Sequence, residues 1–203
     1  MSATKRICLL AVLIATLTGG KTAIAFIPNV EIVTALFIVY ALVFGWRNTV
    51  LVSIIFVLIE ILIWGFMPWW VLLYFIYWPL LVTAVAFLPR KNTNLRLVLA
   101  IVTGIVFTVG FGVLSTFIEI IFMGGLETGL FWRFFYFRYI AGIPFFTAHI
   151  VSNAVILPKL IPVLYRTLKK LQPAFERGKK KRINTTGSIA EQKNAADSIT
   201  VAD

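Results

Sequence analysis

Ala25-Phe26-Ile27-Pro28-Asn29-Val30-Glu31-Ile32-Val33-Thr34 sets a proline, an amide and a carboxylate between two apolar segments. A carboxylate inside a membrane span costs roughly 2.5 kcal/mol or more on insertion scales unless it is paired or faces water. Pro28 fixes its own φ and lacks an N–H, so a first helix ends near it and a second starts after it. Asn29 is then placed to cap that second helix, with Glu31 in its first turn, where the helix dipole favours negative charge. Two readings follow: a capped helix start at the membrane interface, or a polar loop lying over a cavity among the helices.

The surrounding chain decides what kind of protein holds this stretch. Its 203 residues are 60% hydrophobic and 13% charged, with a mean hydropathy of +0.95. A soluble core of this size does not need so much apolar surface, which implies an all-α integral membrane protein. A lone Cys8 excludes a disulfide framework, and His149, the only histidine, cannot form a bis-histidine haem site. The sequence pI of about 10.1 comes from charge gathered at span ends and in the tail. That placement carries topology, and without an aromatic platform beside the charges no nucleic-acid partner is expected.

Polar breaks divide the apolar sequence into six expected spans, at about 7–26, 30–45, 49–65, 69–88, 95–123 and 139–164. Lys21 is expected to snorkel to the outer end of the first. That span also has a signal-peptide reading, with Ala23-Ile24-Ala25 as a small-x-small cleavage site. Gly65-Phe66-Met67-Pro68 separates the third span from the fourth, and Pro89 to Asn94 forms a short basic loop. With the N-terminus inside, Lys21, Arg133 and Arg138 are the outer-side members of the 19 Lys and Arg. This one-sided split places both termini in the cytoplasm of a cell (plasma) membrane protein. Residues 1–170 form the membrane domain, and 171–203 a basic, polar tail expected to be disordered or to lie on anionic headgroups.

Several features stand out within the spans. Ala11 and Ala15 share a helix face and permit close approach of another helix. Glu31, Glu60, Glu119 and Glu127 all fall in the outer half, as do Arg133 and Arg138, consistent with internal salt bridges, a polar cavity, or both. Tyr74, Tyr77 and Trp78 share a face on which a planar ligand can stack. Trp132, Tyr136 and Tyr139 precede the last span, where an interfacial aromatic belt also accounts for them. His149 and Asn153, four apart, point one way into the bundle. No G-x-S-x-G, H-E-x-x-H or P-loop is present, so no enzyme activity is expected of the chain and no cofactor is implied.

Six spans with cytoplasmic termini, Ala11-x-x-x-Ala15, Ile27-Pro28-Asn29-Val30-Glu31-Ile32-Val33-Thr34 and Gly142-Ile143-Pro144-Phe145 with His149 and Asn153 together resemble a known family. It is the substrate-binding S component of energy-coupling factor (ECF) vitamin transporters, and the resemblance covers residues 5–165. It implies capture of a small-molecule micronutrient from outside and docking on one transmembrane coupling subunit with two ATPase subunits. Ala11 and Ala15 would form the docking face. The substrate would contact Asn29, Glu31, Tyr74, Tyr77, Trp78, Glu119, Trp132, Arg133, Tyr136, Tyr139, His149 and Asn153. The aromatic content suits a ring-bearing ligand, and the His-rich N-terminus of a metal-carrying subunit is missing. Two other classes compete: a membrane structural or assembly protein whose polar groups staple helices, and an intramembrane enzyme using Glu60, Glu119 or His149.

Overall fold

The computed structural model describes residues 3–27, 30–124 and 129–176. Pro28, Asn29 and Glu127 lie outside these, as does the tail from residue 177 onward. Six helices form among the described residues: α1 (Ala3–Ala23), α2 (Val33–Phe44), α3 (Trp46–Trp64), α4 (Pro68–Ala86), α5 (Thr93–Phe122) and α6 (Phe131–Glu176). Five of them are long and apolar enough to cross a membrane. The exterior is apolar, with Leu62, Phe87, Val106 and Val155 among the exposed side chains, as a surface facing hydrocarbon requires.

α2 differs from the expected full-length second span. Its 12 residues give a rise of about 18 Å, against a hydrocarbon core of about 30 Å. Eleven of the twelve are buried, and α2 packs against each of the other five helices. A helix apolar on every side belongs in a core; α2 is the axle of the bundle. It starts at Val33, with Ile32 in the cap position and no side-chain cap, so Glu31 precedes the helix instead of occupying its first turn. Gly45 joins α2 to α3 and Gly65 follows α3, at φ 83° and 87°, a region L side chains rarely enter.

The start of α5 is capped by Asn92, whose Oδ1 accepts from Asn94 N at 2.9 Å and Leu95 N at 3.2 Å. Where α5 crosses the axle, Gly104 leaves no room for a side chain. A Cβ there would stand 2.7 Å from both Ile38 Cδ1 and Leu157 Cδ1. Gly104→Leu is therefore expected to lower stability by about 1–3 kcal/mol through overpacking, read as a lower unfolding temperature in detergent.

α6 is one helix of 46 residues, roughly 70 Å long. The expected sixth span, 139–164, is only its middle. The aromatic stretch before it is helical, because Phe131, Phe135 and Tyr139 stack at spacings of four, with centroids 6.3 Å and 5.8 Å apart. At the other end, the helix takes in residues 171–176, which the sequence assigned to the tail.

Candidate functional site

The ends of α1 and α3 meet the start of α4 around Lys21, Trp64 and Trp70, and the end of α5 meets α6 through Glu119 and Arg138 beside Trp69 and Trp70, all at one end of the bundle. The opposite end, which holds the start of α1, is tied by Arg6 Nε to Asn48 Oδ1 at 3.0 Å and Trp46 Nε1 to Thr83 Oγ1 at 3.1 Å. At the first end lies a cavity of about 320 Å³, lined by Lys21, Glu31, Trp70, Tyr74, Trp78 and His149 and walled further by Trp64, Phe111 and Phe145. Small-molecule sites span roughly 300–1,000 Å³ and are mostly apolar with a few placed polar groups. The cavity fits that description at its lower end.

Glu31 organises the polar side of the cavity. Its Oε1 accepts from Thr34 Oγ1 at 2.5 Å and from Asn153 Nδ2 at 3.5 Å, and faces His149 Nε2 at 3.4 Å. Asn153 Nδ2 also donates to Thr108 Oγ1 at 3.0 Å, while Thr108 donates to Gly104 O at 2.8 Å. The expected helix-face pairing of His149 and Asn153 thus holds, and both converge on Glu31. Asn153 is fully buried, and its Oδ1 has no hydrogen-bond partner among the described residues.

Lys21 does not snorkel outward. It forms an ion pair with Glu60 of α3, and its Nζ stands 5.2 Å from the Tyr74 ring centroid, 5.8 Å from Phe56 and 5.9 Å from Trp64. Carboxylate and ring faces together hold the ammonium. Lys21, Glu60, Trp64, Trp70 and Tyr74 also line a second cavity of about 200 Å³, so the Lys21 side chain stands between two voids.

Glu119 pairs with Arg138 at a third cavity of about 320 Å³, which meets the first at Trp70, Phe111 and Phe145. The arginine chosen is Arg138; Arg133 lies over the Phe137 ring instead, at 6.0 Å. Tyr74 and Trp78 line the main cavity, whereas Tyr77 is buried behind them, 4.8 Å from Trp78 and 5.2 Å from Phe111 by ring centroids. Trp78 Nε1 is buried without a hydrogen-bond partner among the described residues.

The other candidates on α6 are not brought to the cavity. Trp132 and Tyr136 are 74% and 62% exposed, Arg133 is exposed, and Tyr139 stacks on Phe135 and meets Phe146. Their outward setting matches the interfacial-belt reading. Asn29 lies outside the described residues. Sequence reasoning missed Lys21, Trp70 and Thr108 as parts of the site. A lysine between two apolar runs, and a tryptophan one turn before Tyr74, were the available signals for the first two; Thr108 gave none. Ala11 and Ala15 are exposed, on the face of α1 opposite buried Leu9, Leu13 and Leu17.

Chemically the cavity offers the Glu31 carboxylate, an imidazole, ring faces and the Lys21 ammonium, which Glu60 already holds. No cluster of three or more His, Cys, Asp or Glu able to hold a metal occurs among the described residues. No family model, curated protein or solved structure matches this chain.

Proposed function

We propose that the protein is a substrate-capture subunit of the ECF type, binding a ring-bearing micronutrient at the outer end of the bundle. A separate coupling subunit with two ATPases would then drive its delivery inward. The observation that carries this reading is the aromatic cavity with Glu31, His149 and Asn153 converging on one wall. A structural staple needs no such space beside its polar groups.

Charge placement supports the orientation. Arg6, Arg47, Arg90 and Lys91 lie at the end opposite the cavity, so the positive-inside rule puts that end and both termini in the cytoplasm. The six helices are then six membrane segments in the plasma membrane, with short α2 shielded from lipid by its neighbours. The exposed Ala11 and Ala15 supply the flat, small-residue face on which a coupling helix packs.

The test is the unfolding temperature of the detergent-purified chain against a panel of vitamins and nucleobase-like compounds. A ligand at 100 times its Kd stabilises by about 2.7 kcal/mol. One compound is expected to raise the unfolding temperature, and His149→Ala to remove that shift while the variant remains folded. A panel without any shift, together with no association with a coupling module, contradicts the reading.

A further inference from the structure

Resting on the capture reading, we propose that the cavity takes a ring-bearing organic cation, with Glu31 as its counter-ion and Trp70, Tyr74 and Trp78 among its aromatic walls. Two carboxylates reach this end near one ammonium. Lys21 pairs with Glu60; Glu31 has neither Lys nor Arg ion-paired to it among the described residues. Its neighbours Thr34 and Asn153 are uncharged, His149 Nε2 stands at 3.4 Å, and Lys21, the ammonium that shares the cavity wall, is held by Glu60.

The adjoining position shows the chemistry in operation. There an ammonium, that of Lys21, sits 5.2–5.9 Å from three ring centroids with a carboxylate as partner. The main cavity repeats this composition, sharing Trp64, Trp70 and Tyr74 and adding Trp78, Phe111 and Phe145 around Glu31. The one ammonium in its wall, Lys21, is already ion-paired to Glu60, so the charge of Glu31 is left without an ion-paired Lys or Arg among the described residues. An anion would meet an unfavourable field at Glu31. A neutral ring would strip water from a carboxylate without giving it a charge in return. A cationic ring satisfies both the carboxylate and the negative faces of the aromatic walls. At about 320 Å³, the cavity suits a molecule of one or two rings.

Three probes of near-identical shape separate these cases: 1-methylquinolinium, neutral 4-methylquinoline and quinoline-4-carboxylate. Each is titrated at pH 8 into the full-length detergent-purified protein, with tryptophan fluorescence as readout. The cation is expected to bind at least about tenfold more tightly than the neutral ring, a difference of about 1.4 kcal/mol, and the anion more weakly still. Glu31→Gln is expected to bring cation and neutral ring within about twofold of each other. Equal binding of cation and neutral ring to the wild type overturns the cation proposal and leaves the capture reading standing. A cation preference that survives Glu31→Gln overturns the role of Glu31. Absence of binding by all three probes overturns the proposal, and the vitamin panel then decides separately whether capture itself stands. If Glu31→Gln does not fold, the wild-type selectivity still decides.

Discussion

Lys21→Met is expected to destabilise the protein by about 1–3 kcal/mol, the cost of leaving the buried Glu60 carboxylate without its partner in a half-buried ion pair. Glu60 sits in the last turns of α3 with its side chain 9% exposed, and Lys21 is its ion-pair partner. Its Oε1 already has no hydrogen-bond partner among the described residues. Without the ammonium, the carboxylate must either stay charged among Phe56, Trp64 and Tyr74 or take up a proton, and both are unfavourable. The same substitution removes three cation–ring contacts, a smaller loss of about 0.5–1 kcal/mol each at most. Replacing both partners gives a different outcome. Lys21→Met/Glu60→Met leaves no uncompensated charge, and its stability is expected to return to near that of the wild type. Unfolding of the wild type, the two single variants and the double variant in one detergent supplies the full cycle. A Lys21→Met protein as stable as the wild type would mean that Glu60 does not depend on Lys21.

On the proposed capture function, Ala11→Phe/Ala15→Phe is expected to abolish association with the proposed coupling subunit while leaving ligand binding and stability nearly unchanged. Both alanines are exposed, and the core contacts of α1 are made by Leu9, Leu10, Leu13, Ile14 and Leu17 on its other face. Substitutions clear of the core usually change stability by less than about 0.5 kcal/mol. Close helix approach in a membrane depends on small residues at the contact, and two phenyl rings hold a partner helix away. Co-purification with the coupling subunit and its two ATPases measures the loss. Full retention of the complex by the double variant would place the docking face elsewhere.

Much of the architecture was legible because membrane helices declare themselves by length and breaks. Gly65 to Pro68 and Pro89 to Asn94 interrupt the apolar runs where α3, α4 and α5 are in fact separated. The short α2 was not legible as such. Hydropathy registers an apolar run without recording whether lipid or protein surrounds it, and Val33–Phe44 is enclosed by protein. The aromatic stretch at 131–139 was read by composition as a belt before a span. The stacking of Phe131, Phe135 and Tyr139 makes it the first turns of a longer helix.

The site was legible in its members and not in its pairings. Glu31, His149 and Asn153 were each singled out as polar groups in an apolar setting. The approach of Asn153 to Glu31 crosses 122 positions of sequence, and no local pattern encodes it. Lys21 was misplaced for the same reason: its partner Glu60 is 39 positions away. Snorkelling is what a lysine at a span end does when no carboxylate comes within reach.

The most direct test of capture is mass spectrometry of the small molecules released from the wild type and from His149→Ala, purified in parallel from the same cells. Capture requires one ring-bearing compound, near stoichiometric in the wild type and depleted in the variant. Identical release from both proteins, with no compound enriched above background, would contradict it.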